Sequence, residues 1–203
     1  MVETAKAFAR RLREGFFEKY CMGTGIDIGC GDDPLDPKID KWDFRISKDQ
    51  DAENFTSQNI PNEIYDFVYS SHCLEDLAHP GLALQNWWRI LKPGGYLILY
   101  IPHRDLYERK RDLPSDGNFY HKWYFLIDRY EAPVTIGLIP FLNQNLADPD
   151  IIYVKKCDEG YWYDQEKFDR RKQTGEAWQG GEYSIECVVR KKIQRFKDDG
   201  WRL

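Results

Sequence analysis

The chain has 203 residues, 42% of them hydrophobic and 31% charged, with a net charge of -5. That length suits one domain with a substantial core, and the composition excludes both a disordered chain and a membrane-embedded one, since no apolar run approaches the ~20 residues of a spanning helix. The acidic balance argues against a protein that grips nucleic-acid backbone, and the opening stretch MVETAKAFARRLREGFF lacks a signal peptide's apolar core, so a cytoplasmic protein without nucleic-acid or membrane partners is expected.

Residues 5–20 predict one amphipathic helix, with Phe8, Leu12, Phe16 and Tyr20 recurring every fourth position. A short strand follows at Ile26–Ile28 and runs into GCGDDP. The two prolines after it exclude a long helix, so a turn and a second short strand around Lys38–Asp40 are expected, with a third strand near QDAENF. YDFVYSS reads as a buried strand. HPGLALQNWWRILKPGG reads as a helix carrying Leu84, Trp87 or Trp88, and Leu91 on one face, stopped by Pro93-Gly94-Gly95. YLILYIP is the next buried strand. Strand, helix and strand at this spacing form a βαβ unit, hence a parallel sheet with a right-handed crossover.

Beyond Pro102 a long loop is expected, with 104–120 a candidate lid over the site. YFLIDRY reads as a helix, and DIIYVKKC and YSIECVVRKKIQ as strands. The aromatic residues Trp123, Tyr124, Phe125, Tyr130, Tyr161, Trp162, Tyr163 and Trp178 fill core or line a pocket for a flat or sugar-like ligand. RKKIQRFK, from Arg190 to Lys197, reads as a solvated face. Five scattered cysteines without a C-x-x-C pair and four histidines without ligand spacing predict neither a disulfide framework nor a metal site. With no internal repeat or linker, residues 1–203 read as one domain.

The glycine turn is the chemical signal. Gly29 and Gly31 let backbone approach a ligand at the carboxyl edge of a parallel sheet. A dinucleotide fingerprint would have a third glycine and tolerate pyrophosphate, whereas Asp32 and Asp33 stand where phosphate would come and Pro34 closes the run. A nucleoside without phosphate fits better.

GIDIGCG resembles the glycine motif of class I S-adenosylmethionine-dependent methyltransferases. YDFVYSSHCLEDLAHPGLALQNWWRILKPGGYLILYIPH is similar to the central half of the small domain-11 type, and the likeness covers roughly residues 24–125. The resemblance implies an α/β, Rossmann-like, doubly wound, mostly parallel seven-stranded sheet with helices on both faces. It implies S-adenosyl-L-methionine as cofactor, with Asp27 and Gly29 along its methionine portion and backbone at Cys30 and Gly31 nearby. An acid ending the second strand would take both ribose hydroxyls; Asp40 fits best, with Asp36 and Asp43 as competitors. Asp51-Ala52 resembles the pair beside adenine, and Ser70, Ser71 and His72 would border the cofactor and open toward the acceptor. Asp33 departs from the pattern, standing where the family has its third glycine.

Methyl transfer to a hydroxyl benefits from a base, and His103 and His121 are the candidates, with Tyr107 and Tyr120 as helpers. SSHC replaces the Asn/Asp-Pro-Pro-Tyr/Phe stretch of nucleobase amine methyltransferases, which argues against nucleic-acid methylation. The expected activity is methyl transfer to a small-molecule or sugar hydroxyl. A scaffold of the same fold that binds cofactor without turnover is the alternative.

Overall fold

The computed structural model of the chain describes residues 3–53, 55–164 and 181–193. Trp178, the end of the basic run beyond residue 193 and most of the polar segment before Glu182 lie outside these.

Among the described residues the main sheet has six strands in the order β2-β1-β3-β4-β8-β7. They are β1 (Gly25–Ile28), β2 (Asp40–Trp42), β3 (Tyr65–Ser71), β4 (Leu91–Pro102), β7 (Pro149–Cys157) and β8 (Ser184–Lys191). The first four are mutually parallel, while β8 runs antiparallel between β4 and β7. The chain passes from β1 outward to β2 and then back to β3 on β1's other side. This reversal creates the switch point at which such sheets bind ligands. The resemblance implied seven strands; the segment around QDAENF supplies none, since its described residues hold no strand.

The order β3, α3 (Pro80–Ile90) and β4 is the one the sequence predicts, but the helix ends at Ile90, so Leu91 and Pro93-Gly94-Gly95 belong to β4. Leu84, Trp87, Trp88 and Leu91 are all buried in the core, together with Ile26, Ile28, Val68, Leu97 and Leu99. Pro80 at the first helical position has a preset φ and lacks only an N–H that would have no helical partner.

Two expected elements differ. YFLIDRY is not a helix. Tyr124–Leu126 forms β5, paired in parallel with β6 (Thr135–Gly137), and Phe125 bridges to His103 beyond the end of β4. All three β5 side chains are buried, so the aromatic run packs as a pleated strand while Asp128 to Tyr130 stay exposed. The helix α5 (Leu138–Asn145) follows β6. Of the expected loop after Pro102, residues Arg104–Tyr107 form the single turn α4.

The N-terminal helix is the larger departure. It breaks into α1 (Glu3–Arg13) and α2 (Phe16–Tyr20) at Gly15, whose φ is 62°. Phe8 and Leu12 are 46% and 53% exposed, whereas Ala7, Arg10 and Arg11 are buried. The charged face turns inward because the sheet offers acids to receive it. Arg10 is hydrogen-bonded to Glu182 and Glu186, and Arg11 to Glu186 at 2.7 Å and the Tyr69 hydroxyl at 2.9 Å. Buried charges survive only when paired in this way.

The five cysteines are free thiols. Among the described residues no helix is long and apolar enough to cross a membrane, and no group of His, Cys, Asp or Glu could hold a metal ion.

Candidate functional site

Strand β1 is buried along its whole length and delivers Asp27 and the glycine turn to the carboxyl edge of the sheet. Gly29 adopts φ +75°, and a Cβ there would fall 2.4 Å from Cys73 Sγ. Gly31 adopts φ +53°, and a Cβ there would fall 1.7 Å from Nη2 of Arg45. Gly29 needs glycine for conformation and for space, and Gly31 for conformation, since the atoms its Cβ would meet are the movable end of Arg45. The turn is tied to the end of β2: Gly29 N donates to Trp42 O at 2.8 Å, and Gly31 N donates to Asp43 Oδ2 at 2.8 Å.

Asp27 is fully buried. Its Oδ2 accepts the Leu35 N–H at 2.8 Å, while Oδ1 has no hydrogen-bond partner. Burial raises its carboxyl to about 7, against the lowering effect of the Leu35 bond. Burial also pushes the Cys30 thiol up to about 11, which makes it an unreactive wall. Ser70 Oγ donates to Ile28 O at 2.9 Å, and Ser71 closes β3 beside it. Asp27, Gly29, Cys30, Gly31, Ser70, Ser71 and His72 thus gather where β1 and β3 end.

Asp40 does not join them. The register pairs it with Ile26, near the start of β1, and its carboxylate accepts the Tyr65 hydroxyl at 2.7 Å. The second strand runs two residues later than its sequence suggests, so the acid that follows it is Asp43. Asp43 is buried, and it accepts Gly31 N and both the backbone N and Nε of Arg45. Burial would raise its carboxyl, but Arg45 and these N–H groups hold it below the ordinary range. Asp36 precedes β2 and accepts Lys38 N.

Asp51 and Ala52 lie beside the carboxyl end of β2, fixed by two indoles. Trp42 Nε1 donates to Asp51 O at 2.9 Å, and Trp87 Nε1 donates to Ala52 O at 2.8 Å. The exposed Asp51 carboxylate accepts Glu53 N.

Beyond β3 lies a buried cluster of acids and imidazoles. His72, at φ +48°, has Nε2 2.9 Å from Ser184 Oγ and Nδ1 3.7 Å from Glu75 Oε1. His121 places Nε2 3.7 Å from the same oxygen, and its Nδ1 lies 2.5 Å from Glu108 Oε1. The Tyr107 ring packs 5.1 Å from the His121 ring. Glu75 is fully buried and neither of its carboxylate oxygens has a hydrogen-bond partner. Burial pushes that carboxyl well above the ordinary range.

His103 does different work. Its Nδ1 accepts Asp105 N at 3.2 Å as the N-cap of α4, and its backbone N–H donates to Tyr183 O. Tyr120 is exposed. Glu75 and Glu108 are the members of the cluster that sequence reasoning missed. Glu75 had a signal, being an acid in the Leu74–Asp76 turn directly after a buried strand. Glu108 had none, since it stands among the surface-like charges of ERKRD.

A sulfonium nucleoside suits this edge of the sheet. The unpartnered Asp27 Oδ1 and the glycine cradle could receive its methionine end, and the Asp43 carboxylate could accept from a cis-diol. Arg45, about half exposed, is the side chain lying across the cradle.

A family model for a methyltransferase domain matches residues 3–144. A search of curated protein sequences finds no match. Among solved structures, the chain is similar to a SAM-dependent methyltransferase from Thermotoga maritima, with a TM-score of 0.54 at 18% identity, covering 93% of this chain and 98% of that one. It is similar to a SAM dependent methyltransferase from Archaeoglobus fulgidus, with a TM-score of 0.52 at 16% identity, covering 93% and 94%. A third similar structure concerns conversion of a disulfide bond into a thioacetal group during echinomycin biosynthesis, with a TM-score of 0.56 at 13% identity, covering 92% and 80%. At these identities the likeness is one of fold, here a Rossmann-like α/β sheet.

Proposed function

The chain belongs to the S-adenosylmethionine-dependent methyltransferases, and from that premise we propose that it moves the methyl group of S-adenosylmethionine to a hydroxyl oxygen of a small-molecule or sugar acceptor. The observation that carries the choice of oxygen is the His121–Glu108 pair, at 2.5 Å, buried beside the carboxyl edge of β3. A carboxylate on Nδ1 fixes the tautomer whose Nε2 lone pair is basic. An alcohol needs such a base, because its oxygen is a weak nucleophile until the proton leaves.

In this reading Asp27, Gly29, Cys30, Gly31, Ser70, Ser71 and His72 border the methionine end of the cofactor. Asp43, in place of Asp40, takes the ribose hydroxyls once Arg45 swings aside, and Asp51-Ala52 flanks adenine. The acceptor oxygen attacks the methyl carbon in line with the departing sulfur, and its proton passes to His121 Nε2. Glu75, driven toward its neutral form by burial, leaves His121 as the basic atom of the cluster. His103, already capping a helix, is not the base in this scheme.

The test is formation of S-adenosylhomocysteine across a panel of sugars, phenols and amines, for wild type and His121→Gln. The expected result is turnover on hydroxyl acceptors that falls roughly 10²–10³-fold in the variant, with cofactor binding retained. Turnover confined to amines, or an undiminished variant, refutes the reading. Binding of cofactor without turnover on any acceptor favours the scaffold.

A further inference from the structure

A cavity of about 480 Å³ opens beside α4, lined by Arg104, Asp105, Arg109, Lys110, Arg111, Arg129, Tyr161 and Tyr163. Five of its eight lining residues are cationic and one is acidic, in a protein whose net charge is -5. We propose that this cavity binds an anionic group, a phosphate or a carboxylate, carried by the methyl acceptor. The inference rests on the methyl-transfer reading above and narrows its acceptor class.

The cavity has a built floor. The Arg104 side chain is 5% exposed, and its guanidinium is fixed on three sides. Nε donates to Asp105 at 2.9 Å, and Nη1 donates to Glu131 at 2.7 Å and to Thr135 Oγ1 at 3.2 Å. Its Nη2 makes no hydrogen bond among the described residues. Arg129 is arranged alike: Nε donates to Glu131 Oε1 at 2.7 Å and Nη1 to Asp128 at 3.2 Å, which leaves Nη2. The Nε of Arg111 stands 3.6 Å from Glu131 Oε2, with that side chain 72% exposed.

One carboxylate therefore gathers three guanidiniums on a single spot. Hydrogen bonds from Arg104 and Arg129 hold the Glu131 carboxyl down at about 2, so it stays ionised and keeps them oriented. Lys110 adds a further cation, paired with Asp116. Even with Asp116, Asp128 and Glu131 counted, positive charge remains in excess around the cavity. Guanidinium donors prepositioned in this way suit the planar or tetrahedral oxygens of carboxylate and phosphate.

The position suits the acceptor rather than the cofactor. Arg104 follows His103 directly at the carboxyl end of β4, two strands away from the glycine turn on β1. Tyr161, on the cavity wall, donates its hydroxyl to Leu106 O at 2.6 Å and packs against the cluster that contains Tyr107. Tyr107 in turn lies on His121. Tyr161 and Tyr107 in series thus link the anion site to the proposed base.

The experiment is calorimetric titration of the full chain with inorganic phosphate, for wild type, Arg104→Gln and the double variant Arg111→Gln/Arg129→Gln. Arg104 is buried and its variant tests the floor; the double variant changes exposed side chains and keeps the fold. Phosphate binding that weakens tenfold or more in both, with S-adenosylhomocysteine binding unchanged, is expected. Absence of phosphate binding, or equal binding in the double variant, overturns the proposal. Phosphate should also inhibit turnover competitively with the acceptor, raising its apparent KM and leaving kcat unchanged. Inhibition that lowers kcat alone marks a separate effector site and overturns the link to the acceptor. The titration does not depend on turnover, so a failure of the methyl-transfer reading leaves the anion site separately decided.

Discussion

The Asp33 carboxylate accepts the backbone N–H of Ala5 at 3.1 Å, joining the glycine-rich turn to the first turn of α1. The residue that departs from the family's glycine pattern thereby caps an N–H in the first turn of the helix, which has no partner within the helix. The acid that looked hostile to a phosphate is an anchor for the helix beside the cofactor cradle. Asp33→Ala should cost about 1 kcal/mol and lower Tm by roughly 2–4 °C. Amide exchange should quicken in α1 and not in α3; a uniform change across both helices would contradict the anchor.

The pair of buried arginines makes a stronger prediction. Burial would raise Glu186, but Arg11, Arg10 and Tyr153 hold it at about 2, below its ordinary 4.5. A carboxyl depressed in the folded state stabilises the fold above its unfolded pKa and loses that contribution as pH falls through the folded one. Stability should therefore drop between pH 4.5 and about 2, and urea unfolding across that range measures it. Glu186→Gln should cost roughly 3–5 kcal/mol at neutral pH, because it strands buried guanidinium charge.

Asp27 runs the other way. Burial raises its carboxyl from 3.8 to about 7, so between these values the unfolded chain has lost a proton that the folded chain keeps. Stability from this group is complete below about pH 4 and declines as pH rises to about 7. Asp27→Asn should remove that slope. A cofactor ammonium beside Asp27 would ionise it, so S-adenosylmethionine binding at pH 6 should release a proton. Titration in two buffers of different ionisation enthalpy reads this directly, and identical heats would count against the contact.

Gly29→Ala tests the cradle. The new Cβ meets Cys73 Sγ at 2.4 Å and a φ of +75° that costs roughly 1–2 kcal/mol for an L-residue. Cofactor affinity should fall at least tenfold. Adding Cys73→Gly removes both the Sγ at 2.4 Å and the Cβ at 2.6 Å but not the backbone strain, so a partial recovery is expected; full recovery would show that φ is unimportant there.

The parts of the fold that could be read from sequence are those whose signals are local. Val68, Leu84, Trp87 and Leu97 announce β3, α3 and β4 because each element's burial follows its own periodicity, whereas the expected stop at Pro93-Gly94-Gly95 lies inside β4, the helix having ended at Ile90. The N-terminal helix hid its inner face because Arg10 and Arg11 find Glu182 and Glu186 some 170 residues away. No local window shows that an arginine will be paired. The same reason separates Asp40 from Asp43. Only the register of β2 on β1 decides which acid reaches the glycine turn, and Tyr65 claims the other. His121 was visible as a histidine, yet its partner Glu108 becomes recognisable only when the segment after α4 folds back over it.

The antiparallel strand β8 enters the sheet between β4 and β7, and it carries Glu186, the counter-charge for Arg11. During synthesis, then, α1 is made some 170 residues before the strand that receives its arginines. Until residue 186 emerges, β4 lacks its β8 neighbour and Arg11 lacks its carboxylate. Closure of α1 onto the sheet is therefore a late event in the chain's assembly.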